Sequence, residues 1–245
     1  MLLMLAAHAA VPVEQIEIRP GRTVALHRRE SRQRSNKTII FVHGSAASVL
    51  QWREQIELFA SAGYHVVAYD AVGCGRSPAP VGWEVYSTEA LYDDLKAVVA
   101  RYGSSGSIVL AGHSAGCSHV CRFAAEAAGT PDPNCVSTLP KPATAPAAVV
   151  LLAPISSLPG ALGIFKLPVF VLELIRPMLS SGFAERAFHA RTREASTDAH
   201  RDLVQLSVET SGRNAMHMCK AYYRQLQVPS TEDMPRLHLI ASHCF

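Results

Sequence analysis

The residues of this chain with the clearest chemical potential are Gly112-His113-Ser114-Ala115-Gly116, a serine with a glycine two positions to either side. An apolar run from Ile108 to Ala111 leads into them, and a helix-forming stretch follows. A turn that passes from strand to helix at a single serine leaves no room for side chains where strand and helix approach, which accounts for both glycines. Such a turn lifts the Ser114 hydroxyl above the sheet edge, where it can act as a nucleophile. It also aims the first free N–H groups of the following helix beside that hydroxyl, so the Ala115 N–H is a candidate donor to an oxyanion.

Positioning such a serine takes a rigid sheet with helices on its faces, and the chain alternates accordingly. Glu14 to Leu26 reads as a hairpin around Pro20-Gly21. Thr38 to Val42 is a continuous apolar run, as in a strand covered on both faces, and leads into His43-Gly44-Ser45. Val49 to Ala62 has helical spacing and is stopped by Gly63. His65 to Tyr69 is the next strand, ending in the glycine-bearing loop Asp70 to Ser77. That loop lacks the spacing of a dinucleotide cradle and no helix follows it at once. Ser87-Thr88-Glu89 starts a helix with Leu91, Leu95, Val98 and Val99 on its inner face, and the elbow strand comes next. A helix from Ala115 to about Ala128, a proline-rich loop from Thr130 to Pro146 and a strand from Ala148 to Ala153 complete the alternation. Together these predict right-handed crossovers and a doubly wound sheet. Between Pro154 and Val228 the pattern turns helical, and Arg236 to Ala241 resumes strand character.

At 245 residues with 49% hydrophobic composition, one large α/β domain with an ample core is expected. The formal net charge is +3, and its basic excess gathers in Arg19 to Lys37 without aromatic residues, which fits a solvated linker rather than a nucleic-acid site. Six cysteines without Cys-x-x-Cys spacing point to reduced thiols in an intracellular, cytoplasmic or membrane-peripheral setting, and the pairs Cys117/Cys121 and His217/Cys219 read as packing rather than metal ligands. The leading Met1 to Ala10 run resembles a secretory signal but has no basic n-region, so secretion is not the expectation. No uncharged apolar run approaches the roughly 20 residues of a membrane span. No cofactor or metal is expected.

Phe41-Val-His-Gly44 with Trp52 and Gln55, Gly63 to Asp70 with Gly73-Cys-Gly-Arg-Ser77, Gly112-His-Ser-Ala-Gly116, and Pro168 to Leu172 through Phe183 form a set far more specific than the pentapeptide. In that set the chain resembles the α/β-hydrolase superfamily, closest to the abhydrolase-domain lipases and esterases and to their subgroup of abhydrolase domain-containing protein eight. The resemblance implies an α/β-hydrolase core over residues 1–153, a helical lid over 154–228 and a return to the core over 229–245, with the last strand and helix missing. It implies that Ser114 attacks an ester carbonyl and forms an acyl-enzyme, with the Ser45 and Ala115 backbone N–H groups holding the oxyanion. His43 matches the family histidine that supports the oxyanion loop. Relatives that open epoxides or remove halogens place Asp where this chain has Ser114, so acyl transfer is favoured. The expected partner is a small ester or lipid, with peripheral membrane contact through the uncharged stretch of the lid, and no nucleic acid.

A serine needs a base, and the base an orienting acid. The resemblance places Asp at position 244, which is Cys, and puts the histidine further on. His189, His200 and His217 fall in the lid, His238 within the last expected strand, and His243 early for the role. Two readings follow: a serine ester hydrolase, or a catalytically impaired hydrolase-like protein that binds an acyl ligand or a protein partner.

Overall fold

The structure, a computed structural model, describes residues 11–103, 106–155, 157–179, 205, 206 and 208–228. The strand expected over 236–241, part of the lid and His189, His200, His238, His243 and Cys244 lie outside the described residues.

Six strands form one sheet in the order β1-β2-β4-β3-β5-β6. They are β1 (Glu14–Arg19), β2 (Arg22–Arg29), β3 (Lys37–Val42), β4 (His65–Asp70), β5 (Ser107–His113) and β6 (Ala148–Leu152). The hairpin forms at Pro20-Gly21 as expected, and β2 then continues the sheet antiparallel to β4, with Leu26 opposite Tyr69. From β4 through β3 and β5 to β6 every pairing is parallel. The helices between the parallel strands are α1 (Arg53–Ser61), α2 (Thr88–Tyr102) and α3 (Ala115–Ala127). Val49–Trp52, read as the start of α1, is a turn of 3-10 helix capped by Ser48, whose hydroxyl accepts the Leu50 N–H.

The unbroken apolar run of β3 fits its place at the centre of the sheet. Ile39 and Phe41 face α1, where the Phe41 ring stacks on Trp52 at 4.7 Å, and Ile40 and Val42 face the larger cluster beneath α2 and α3. The segment expected as the lid, between Gly160 and Gln225, is mostly helical among the described residues, with breaks at Leu167-Pro168, Ile175 and Arg213–Ala215, and includes α4 (Val169–Leu174) and α5 (Met216–Gln225). Its apolar residues divide. Leu172 and Phe165 are buried, with Phe165 stacked on Tyr223 at 4.5 Å, while Phe170 and Leu174 are 75% and 81% exposed.

Helical periodicity gives α2 a single inner face, and the structure buries it on both sides. The Asp94 carboxylate, fully buried, accepts from the Arg22 Nε at 2.8 Å and from Arg19 at 3.1 Å, which ties the hairpin to α2. Lys96 Nζ donates to both Glu126 oxygens at 2.9 and 3.1 Å, to Ser137 Oγ at 2.8 Å and to the Leu139 carbonyl at 3.0 Å. Asp93 accepts from the Ser137 and Thr138 hydroxyls, and Arg122 pairs with Asp132 at 2.8 Å. The loop from Thr130 to Pro146 therefore has no strand or helix, as expected, yet it is pinned rather than free to vary, because the buried Lys96 ammonium, Arg122 guanidinium and Asp93 carboxylate depend on its polar groups.

Removing one member of that network should be costly. Lys96→Ala is expected to lower stability by about 2–3 kcal/mol, on the order of 5–10 °C in Tm, because the half-buried Glu126 loses its cation and Ser137 and Leu139 lose their donor. Lys96→Met combined with Glu126→Gln should recover part of the loss in thermal denaturation. Equal losses in the two variants would show that the charge pairing is not what matters.

Candidate active site

Ser114 sits between β5 and α3 with φ 51° and ψ −120°, a backbone conformation that a residue with a side chain avoids unless its surroundings enforce it. The enforcement is visible on both sides. A methyl group on Gly116 would run into the Val42 carbonyl oxygen and stand 2.7 Å from that of His43, and one on Gly112 would stand 2.8 Å from the Cys117 nitrogen. The first turn of α3 thus lies directly against the end of β3. The Ser114 N–H donates to the Leu152 carbonyl at 2.9 Å and its own carbonyl accepts the Cys117 N–H at 3.0 Å, so the peptide groups on both sides of the serine are held.

The loop after β3 lies across the same turn. A methyl group on Gly44 would come within 3.1 Å of the Ser114 Cβ and 2.8 Å of His113 Nδ1, which places the Gly44-Ser45 peptide beside the serine. His43 anchors this loop from below. Its Nε2 accepts the Ala71 N–H at 2.9 Å, which leaves the proton on Nδ1, and that N–H donates to the Gly44 carbonyl at 2.7 Å. Burial lowers the affinity of His43 for a second proton, opposed by the nearby Asp70. Its position is thus that of a support for the loop, and both its nitrogens are already committed.

Asp70, at the end of β4, accepts the Val49 N–H at 2.6 Å on one carboxylate oxygen and the Arg76 N–H at 2.8 Å on the other. The glycine-bearing loop Asp70 to Ser77 therefore wraps the chain's own carboxylate instead of a phosphate. From the lid side, Asn214 Nδ2 donates to the Ala46 carbonyl at 2.8 Å, and the Tyr222 hydroxyl meets Ser45 Oγ at 3.1 Å. Neither contact follows from any local pattern in the sequence. A cavity of about 20 Å³ lies behind the loop, lined by His43, Ser45, His119 and Tyr222 among others.

His113 is the last residue of β5, directly before the serine. Its Nδ1 is buried against Gly44 without a hydrogen-bond partner, and burial, with His43 adding to it, lowers its proton affinity. His119, on the buried side of α3, is pushed down to about 3 by burial, with Arg122 and His43 contributing. Among the described histidines only His65 meets a carboxylate, Glu30 at 2.5 Å, and it lies at the start of β4, the opposite end of the sheet from Ser114. Cys117 and Cys121 are buried in α3, and Cys219 is buried in α5 while His217 bonds to the Ala79 carbonyl, so both cysteine-bearing pairs pack as the spacing suggested. No group of residues that could hold a metal occurs among the described residues, and no described helix is long and apolar enough to cross a membrane.

A parallel sheet wound on both faces, with a strained serine at the strand-to-helix turn after its central strands, is the architecture of an α/β hydrolase. Residues 37–204 match the family described as alpha/beta hydrolase fold, and the chain belongs to that family. It is 32% identical over 153 residues to Protein ABHD8 of Homo sapiens, a stretch covering 61% of this chain and 31% of that protein. It is also 35% identical over 96 residues to an epoxide hydrolase of Caballeronia sordidicola, covering 39% of this chain and 28% of that protein. The chain thus spans about a third of the length of these curated relatives. Among solved structures it resembles a probable hydrolytic enzyme from Pseudomonas aeruginosa PAO1, with TM-score 0.68, 21% identity, and coverage of 93% of this chain and 71% of that one. An esterase from Exiguobacterium antarcticum matches with TM-score 0.64 and 15% identity over 91% of this chain and 76% of that one.

The buried neutral imidazole of His119 gives a pH prediction. In the unfolded chain it takes up a proton near pH 6.5, whereas in the folded chain it resists until about 3. The unfolded state therefore binds more protons between those limits, and stability falls as pH drops through that window. Between pH 7 and 5 the contribution of His119 should be about 2 kcal/mol. His119→Gln is expected to flatten the dependence of denaturation midpoint on pH by that amount; an unchanged slope would show that His119 is protonated in the folded protein.

Proposed function

We propose that this chain is a serine hydrolase of carboxylic esters that works through an acyl-enzyme on Ser114. The observation that carries the reading is the enforced conformation of Ser114, φ 51° and ψ −120°, at the head of α3 and against the Gly44-Ser45 peptide. Proteins do not retain strain of that kind in a serine without a use for the exposed hydroxyl. In the proposed reaction Ser114 Oγ adds to the ester carbonyl carbon as its proton passes to a base. The oxyanion is held by the Ser45 and Ala115 N–H groups; collapse expels the alcohol, and water then releases the acid from the acyl-enzyme. A hydroxyl nucleophile suits acyl transfer, whereas opening an epoxide through an alkyl ester calls for a carboxylate at this position.

The proposed substrate class is an ester with an apolar acyl chain, met at a lipid surface. Phe170 and Leu174 stand exposed on α4, and Leu158 and Leu167 are partly exposed beside it, which supports apolar contact at the lid. A second reading is kept because of Cys244, where the resemblance places the acid. A protein that lacks its acid could hold an acyl ligand without turning it over.

The test is labelling by a fluorophosphonate probe together with ester turnover by the full chain. Ser114→Ala should abolish labelling and lower turnover by on the order of 10⁴-fold or more, and long-chain esters should be preferred to p-nitrophenyl acetate. A chain that binds long-chain acyl ligands yet neither labels nor turns over esters would select the second reading. Equal turnover of short and long acyl chains would remove the apolar acyl pocket from the proposal.

A further inference from the structure

The loop from His43 to Ser48 is held from two bodies. On the core side His43 and Asp70 fix its ends, through the Gly44 carbonyl and the Val49 N–H, and Gln51 Oε1 accepts the Gly44 N–H at 3.3 Å. From the core the Cys74 side chain also meets the Ala46 backbone. Ala46 has φ 55°, in the left-handed region that an alanine does not hold unaided. The Ala46 carbonyl and the Ser45 hydroxyl are held by the lid, through the buried Asn214 amide on the Ala46 carbonyl at 2.8 Å and the Tyr222 hydroxyl on Ser45 Oγ at 3.1 Å.

Those two residues frame α5, and α5 is itself docked on the core. The Thr88 hydroxyl at the start of α2 donates to the Gln225 carbonyl at 2.9 Å and accepts the Gln227 N–H at 3.0 Å, and Gln225 Nε2 donates to the Trp83 carbonyl at 2.7 Å. The link spans 168 and 177 residues of sequence, so it exists only while the lid is seated. A carbonyl that accepts a buried amide fixes the orientation of its peptide plane, because rotating that plane would leave both groups unsatisfied in a site closed to water. Flipping the Ala46 peptide would in turn reorient Ser45.

We infer that Asn214 and Tyr222 are positioning residues by which the seated lid sets the orientation of the Ser45-Ala46 segment. This rests on the functional reading only for its catalytic meaning: with Ser45 as an oxyanion donor, the oxyanion site is complete when α5 is docked and incomplete when it is displaced. Substrate entry that shifts α5 would therefore loosen the site, and reseating would restore it.

The test uses hydrogen–deuterium exchange of the full chain, reading the hydrogen-bonded amides of Gly44, Ala47 and Val49 against those of β3 and β5. Asn214→Asp keeps the shape but removes the donor, and Tyr222→Phe removes only the hydroxyl. Each should speed exchange of the loop amides about tenfold with the β3 and β5 amides unchanged, while Glu209→Ala, on an exposed lid side chain, should alter neither. Unchanged loop exchange in both variants would overturn the inference. So would a uniform rise across loop, β3 and β5 in Tyr222→Phe, which would mean that the contact serves only general stability. Fluorophosphonate labelling of the same variants separates the two proposals. Labelling that slows with the loosened loop supports a catalytic role, whereas a wild-type chain that never labels removes that role and leaves the positioning inference to stand or fall on exchange.

Discussion

The close approach of the first turn of α3 to the end of β3 is the constraint on which the site depends. With Gly116 against the Val42 and His43 carbonyls, the chain entering α3 has no space to turn gradually, and Ser114 takes a positive φ to make the corner. The same approach sets the following loop across the turn, which is why Gly44 also has no room for a side chain. Three glycines and one strained serine are therefore consequences of a single distance. Enlarging any of the three glycines would separate α3, β5 and the loop together.

That geometry is local to the core, but the loop beside Ser114 is not. Its ends obey the core through His43 and Asp70, both buried, and its middle obeys the lid through Asn214 and Tyr222. His43 illustrates how burial decides a role. A histidine next to a nucleophile invites reading as its base, yet each of its nitrogens already holds a backbone group, and the interior disfavours its charged form. A base must be able to accept the serine's proton and carry the charge. His43 can do neither without releasing the loop that it supports.

Local pattern made the core legible in the sequence. The unbroken β-branched run of β3, the alternation of the hairpin and the glycine spacing around Ser114 each reflect forces acting within a few residues, and the strands formed within a residue or two of where those patterns place them, except that β2 runs three residues past Leu26 to Arg29, into the stretch expected as a linker. What could not be read were pairings between distant polar groups. Asp93, Asp94 and Lys96 lie on the helix face that periodicity assigns to solvent, and all three are buried because the hairpin and the Thr130–Pro146 loop cover that face. A charge run on a helix normally means water. Only the fold reveals that Arg22, 72 residues away, supplies the counter-charge for Asp94. The lid contacts of Ser45 and Ala46 were hidden for the same reason, since a tyrosine and an asparagine in a helical segment carry no mark of the loop that they will meet.

On the proposed reading, nucleophile alignment and oxyanion geometry would be carried by different parts of the molecule. The conformation of Ser114 is set by backbone crowding among β3, β5 and α3. In the proposed reading, the orientation of Ser45 and Ala46 also draws on two hydrogen bonds to the lid, which the substrate would have to pass. Crowding resists displacement in a close-packed interior, because every direction of movement meets atoms. A pair of hydrogen bonds at a lid contributes only a few kcal/mol and can be exchanged for contacts with a ligand. On that reading, the division would keep the strained serine in place while leaving the charge-stabilising half of the site responsive to what occupies the lid.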